Sequence, residues 1–156
     1  MKNCIISKTN ADKGRCLASN LGHLLLRITL AVAIFPHGAQ KVLGWFGGDG
    51  FSATYKGFTE GMGIWGPMAV IAILTEFIAP FFLLAGVLTR LNALALAILM
   101  TVAMTTVHIH NGFFMSNNGF EYHLLFIGSA LTLLLVGPGR ISVDHLLIKK
   151  FCCSNN

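Results

Sequence analysis

Four stretches of the chain, residues 21–43, 67–88, 91–107 and 122–139, are apolar over a length close to the roughly 20 helical residues that cross a hydrocarbon core. Lipid offers the backbone no hydrogen-bond partner, so only helices or closed barrels span it. These runs are continuous and rich in Leu and Ala rather than alternating, and four of them cannot close a barrel. The expectation is an all-α protein, a membrane four-helix bundle. Composition agrees: 54% of the 156 residues are apolar and 11% charged, against about 25% charged in soluble domains. That excludes a soluble globular enzyme and a disordered chain.

The placement of charge gives an orientation. Lys2, Lys8, Lys13 and Arg15 precede the first run, Arg90 separates the second from the third, and Arg140, Lys149 and Lys150 follow the fourth. The alternate connections, 44–66 and 108–121, hold Lys56 as their one lysine or arginine and are rich in aromatic residues such as Trp45, Phe46, Trp65 and Phe114. The positive-inside rule puts both termini and the 89–92 turn in the cytoplasm, with the aromatic loops at the outer headgroup level. The net charge of +5 is thus a topology signal and does not point to nucleic acid. A multi-pass protein of the inner (plasma) membrane follows, with a cytoplasmic tail over 1–20, a transmembrane domain over 21–139 and a second cytoplasmic tail over 140–156. A cleaved secretory leader ending near Ala31-Val32-Ala33 would leave three spans and undo this charge pattern, so a retained first span is expected. Cys4, Cys16, Cys152 and Cys153 all fall on the side where thiols stay reduced, and are expected to be tail thiols without a role.

Ionisable residues inside the spans carry the functional information. Each costs about 2.5–3.5 kcal/mol to insert and so demands a partner or a water-filled cavity. Arg27, His37 and Lys41 fall within an arc of roughly 80° on a 3.6-residue helix, giving the first span one polar face that should point into the bundle. Glu76 is the single charge of the second span. At about 1.5 Å per residue it lies between Arg27 and His37, roughly 7–8 Å from each along the axis. A buried Glu76–Arg27 pair is the expected contact. His37, His108 and His123 reach one level from three different helices, near the outer face. No metal is assigned to them: no Glu-x-x-His or His-x-x-x-His spacing sets two ligands on one face, and His108-x-His110 and Glu121-x-His123 point to opposite sides. The plainer reading of the charges is that a buried ion pair fixes which helices meet.

The segments His37-Gly38-Ala39-Gln40-Lys41-Val42-Leu43-Gly44-Trp45-Phe46-Gly47-Gly48, Glu76-Phe77-Ile78-Ala79-Pro80 with Leu88-Thr89-Arg90, and Gly137-Pro138-Gly139-Arg140-Ile141-Ser142-Val143-Asp144 resemble the DoxX family in order, spacing and placement, over about residues 21–147. Arg27, His37, Lys41, Glu76 and Arg90 stand at matching positions. The resemblance implies a four-helix inner-membrane protein related to DoxD, the membrane subunit of thiosulfate:quinone oxidoreductase, and to membrane redox and sulfur-stress assemblies.

Three functions fit these residues. In the first, a subunit of a quinone-linked oxidoreductase, Glu76 and His37 form the catalytic set, Glu76 exchanging protons. His37, Lys41, His108, His123 and Arg27 hold the quinone, because electrostatics is strong where water is excluded. No haem-attachment motif, dinucleotide fingerprint or cluster motif is present, so a partner redox subunit is expected to supply the electrons. The second function is a non-catalytic scaffold that anchors a partner through the Gly-rich 44–66 loop or the basic tails. The third, small-molecule transport, requires a homo-oligomer because four short spans leave little room for a pathway. Membrane lipid is the surrounding partner in all three.

Overall fold

A computed structural model describes residues 10–153, with side chains from 14 to 150. Six α-helices follow one another, and no strand occurs among the described residues: α1 (Asn10–Leu43), α2 (Gly50–Lys56), α3 (Gly66–Ala85), α4 (Thr89–Ala103), α5 (Glu121–Val136) and α6 (Val143–Cys153). The chain is an all-α membrane protein. Three helical stretches are long and apolar enough to cross a membrane: Gly14–Leu43, Gly66–Ala85 and Thr89–Asn111, the last being α4 with the π-turn and 3-10 turn that prolong it. The fourth apolar helix, α5, has 16 residues, about 24 Å. It stops short of the expected 139 because Gly137 (φ 87°) and Gly139 (φ 77°) flank Pro138 in backbone geometry that ends a helix.

The long helices pair as α1 with α3 and α4 with α5, and lighter contacts join the pairs. Small residues set the spacing. Ala31, Ala79 and Ala93 are buried among Leu30, Ile34 and Leu83, so that backbones approach closely, as expected where lipid removes the hydrophobic drive between helices. The closest approach is at Gly38, where a Cβ would run into the backbone of Glu76 and Phe77. Large apolar side chains face outward instead, Leu125 at 66% and Leu135 at 77% exposure, a pattern that suits an acyl-chain solvent. Pro36 and Pro80 lie inside α1 and α3 without ending either helix.

One end of the bundle is basic and knotted. α3 closes on Gly86 (φ 69°), Leu88 adopts a left-handed conformation (φ 47°), and α4 starts at Thr89. Asp144 holds this turn from the far end of the chain. Its Oδ1 accepts the Leu88 N–H at 2.8 Å, its Oδ2 accepts the Thr89 N–H at 2.9 Å, and its own N–H donates to the Gly86 carbonyl at 2.9 Å. Beside it the Arg140 N–H donates to Asn20 Oδ1 at 3.0 Å, and the Arg140 guanidinium reaches Cys16 Sγ at 3.3 Å. Cys16 is disulfide-bonded, against the expectation of an idle reduced thiol. α1 begins at Asn10 and so carries Cys16 against the C-terminal segment, which the picture of a separate tail did not foresee. Cys4 lies outside the described residues, and the side chains of Cys152 and Cys153 do too.

Candidate functional site

At the opposite, aromatic end, α1 and α3 bring Lys41 and Glu76 together. Lys41 Nζ donates to both carboxylate oxygens of Glu76, each at 2.5 Å. The Glu76 side chain is 4% exposed and that of Lys41 28%. The ion pair is therefore buried on its anionic side and open on its cationic side. The opening is a cleft of about 430 Å3 between the end of α1 and the α2 segment, lined by Gln40, Lys41, Asp49, Thr54, Phe58 and several glycines. Lys41 Nζ stands 5.5 Å from the centroid of the Phe58 ring, within cation–π range. The loop is folded tightly here: Gln40 Nε2 donates to the Phe46 carbonyl at 3.2 Å, and a Cβ at Gly48 would strike Gln40.

The expected Glu76–Arg27 pair does not form. Gly38 lies against Glu76, whereas Arg27 lies against Gly86 and Ser142, 11 residues down α1 and about 16 Å away. Heights counted from residue 21 misplaced the register, because α1 starts well before it and Arg27 belongs to the basic end. There its guanidinium donates to the Ile141 carbonyl, is 1% exposed, and keeps Nε and Nη1 without a hydrogen-bond partner. Arg27 is a structural tie between α1 and the C-terminal segment, remote from the ion pair. Arg90 is likewise at that end, its guanidinium donating to the Leu135 carbonyl at 3.3 Å.

Two of the three histidines meet. His108 and His123 face each other with ring centroids 4.2 Å apart and planes tilted by 37°. His123 is 8% exposed and its Nδ1 has no hydrogen-bond partner. His108, His37 and Lys41 all stand close enough to act on His123 electrostatically. His37 sits exposed on α1. His108 ends a π-turn, Met104–His108, a one-residue widening of the helix that often marks functional positions. Its Nδ1 bonds the Asn118 carbonyl at 2.8 Å. Glu121 is engaged elsewhere, accepting the Met115 N–H at 3.2 Å, so it does not join the imidazoles. No three metal-ligating side chains cluster among the described residues.

Sequence reasoning gave no role to Phe58, Asn118 or Asp144, although Asp144 stands in a segment that carries the family resemblance. Asn118-Gly119 is a recognisable turn pair, but nothing local says which imidazole it meets. Asp144 acts on residues more than fifty positions away, and no spacing rule reaches that far. Chemically, the arrangement sets a buried carboxylate against an ammonium that faces a cleft and, at the same end of the bundle, stacks two imidazoles, one of them with a bare buried nitrogen.

Comparisons with known proteins bear on the same segments. The DoxX family model matches residues 22–109, which include Arg27, His37, Lys41, Glu76, Arg90 and His108. A protein of Haemophilus influenzae described as uncharacterized is 33% identical over 138 residues, covering 86% of this chain and 89% of its own length. Inner membrane protein YqjF of Escherichia coli is 32% identical over 134 residues, 85% of this chain and 96% of its own. A protein of Bacillus subtilis named "Putative oxidoreductase CatD" is 28% identical over 129 residues, 83% of this chain and 89% of its own. No solved structure matches. With the family model over more than half of the chain and a relative this similar across nearly its whole length, the chain belongs to the DoxX family.

Proposed function

We propose that this protein is a multi-pass subunit of a quinone-linked redox assembly in the inner membrane, with both termini cytoplasmic. The observation that carries the reading is what the aromatic end holds: a buried carboxylate bonded to Lys41, and an imidazole within electrostatic range of that lysine whose Nδ1 is buried without a partner. Structural ion pairs explain the first feature but leave the second unexplained. A ring nitrogen left bare inside a protein costs about 1–3 kcal/mol, and a quinone oxygen is the partner that would relieve it in an apolar setting. The residues thus fit the group: His123 and His108 would hold its head, with His37 at the lipid-facing edge and Lys41 on the cleft side. When bound, a quinone–hydroquinone couple would supply the redox chemistry that the chain's own side chains lack. Glu76 holds and releases a proton at its carboxylate, and Lys41 keeps that carboxylate oriented while facing the cleft. The "oxidoreductase" in the name of the Bacillus relative supports this direction. The charged end bearing Arg90, Arg140, Lys149 and Lys150 supports the orientation.

Photoaffinity labelling with an azidoquinone in membranes tests the site. Label is expected on peptides containing His108 or His123, with strong loss in His123→Ala and a smaller loss in His37→Ala. Label at background in the unmodified protein overturns the quinone reading.

A further inference from the structure

Resting on that reading, we infer that His108 is the proton acceptor of the site and that the 109–120 loop is built to fix it in that role, so that the site recognises a hydroxylic, hydrogen-bond-donating ligand: the reduced, phenolic form of the quinone. The argument starts from one bond. A backbone carbonyl can only accept, so the 2.8 Å contact between the Asn118 oxygen and His108 Nδ1 puts the proton on Nδ1. In a neutral imidazole the other nitrogen then carries the lone pair. Nε2, across the ring, is the acceptor.

The loop holds that carbonyl still. Asn118 has φ 60° and ψ 30°, left-handed geometry that Asn and Gly adopt at least cost. Its oxygen also accepts Asn111 Nδ2 at 3.2 Å, which fills its second lone pair and blocks rotation away from His108. The turn is cross-tied behind it: Phe120 N–H donates to the Gly112 carbonyl at 3.2 Å, Glu121 N–H to the Phe113 carbonyl at 2.9 Å, and Glu121 Oε2 accepts the Met115 N–H. A Cβ at Gly119 would meet the backbone of Gly112 and Phe113. From the other side, the π-turn at Met104–His108 sets His108 on the ring of His123. The Asn118 carbonyl therefore fixes the tautomer while the π-turn fixes where the ring lies, and a histidine placed only for packing requires no such tied carbonyl. A carbonyl oxygen would find no donor on Nε2, whereas a phenolic O–H would. On transfer the O–H bond breaks, the Nε2–H bond forms, and the electron pair stays on oxygen, with Nδ1–H still tied to Asn118. Asn118 is a positioning residue, acting through its main chain.

The test is nitrogen NMR of the full chain in lipid nanodiscs with 15N-labelled histidine, titrated with trimethylhydroquinone and separately with its dimethyl ether. The expected result is a protonated Nδ1 and bare Nε2 at His108, with the Nε2 signal moved by the hydroquinone. The ether should leave that signal unmoved and bind about tenfold more weakly, the size of one lost hydrogen bond. His108→Asn retains a donor toward Asn118 and should fold, yet lose the discrimination between the two probes. Asn118→Gly should preserve the His108 signature and Asn118→Val should mix the tautomers. A bare Nδ1 in the unmodified protein overturns the inference and leaves the quinone reading standing, since photolabelling does not depend on the tautomer. An Nε2 signal indifferent to the hydroquinone overturns the acceptor role; if photolabelling is also at background, the quinone reading falls with it.

Discussion

Lys41 and Glu76 illustrate how a single buried charge recruits a partner. A carboxylate with a side chain only 4% exposed must be neutralised by protonation or by a cation, and Lys41 supplies the cation on both oxygens. Removing one member leaves the other stranded. Breaking a fully buried pair costs about 3–5 kcal/mol; with Lys41 at 28% exposure, Lys41→Met should cost about 2–3 kcal/mol. The double variant Lys41→Met/Glu76→Gln should recover most of that loss, as read by thermal unfolding in detergent through a double-mutant cycle. Gly38 makes the pair reachable, because its missing Cβ lets α1 rest on the Glu76 backbone. Gly38→Val should separate the helices and lower stability by about 1–3 kcal/mol, as overpacking does. Lysine reactivity toward an amine reagent should rise at Lys41 in the same variant, and unchanged reactivity would show that the contact does not set the pair.

Among the elements, the α3–α4 turn is shaped by a residue that belongs to neither helix. Asp144 caps α4 with both carboxylate oxygens, meeting N–H groups that have no partner inside the helix and favouring its positive end. Asp144→Ala should cost about 0.5–2 kcal/mol. Hydrogen exchange at the Leu88 and Thr89 amides should accelerate in that variant before exchange in the body of α4. Leu88 is held in left-handed geometry at φ 47°, a cost of order 1–3 kcal/mol for a non-glycine residue. Leu88→Gly is therefore expected to raise the melting temperature, and a fall would mean that its side chain, 56% exposed, packs against something outside the chain. The aromatic end is governed differently, by short irregular turns at Trp45–Gly47, Met104–His108 and Met115–Asn117 that aim side chains.

For the whole molecule, polarity is divided between two ends. The basic end gathers Arg27, Arg90, Arg140 and Asp144 into a knot of main-chain bonds, while the aromatic end holds Lys41, Glu76 and the imidazoles beside an open cleft. The first is built for closure and the second for access. Orientation is checked with C-terminal fusions: green fluorescent protein should fluoresce and alkaline phosphatase should stay inactive, and the reverse would invert the assignment of the two ends.

Composition and hydropathy were enough, from the sequence, for the helical class, the presence of apolar spans and the one-sided placement of basic residues. These follow from transfer free energies summed over a window, to which each residue contributes whatever its neighbours. The shared level of His108 and His123 was also legible, since both lie near the same end of their helices, whereas their direct ring contact was not. Only the tertiary structure decided that Glu76 bonds Lys41 and not Arg27, that Asp144 caps a helix it is remote from, and that Cys16 is bridged. Each depends on the axial register of one helix against another. That register is fixed by small-residue contacts such as Gly38 on Glu76, where a shift of about four turns, roughly 21 Å, exchanges one cation for the other and leaves the hydropathy of the chain unaltered.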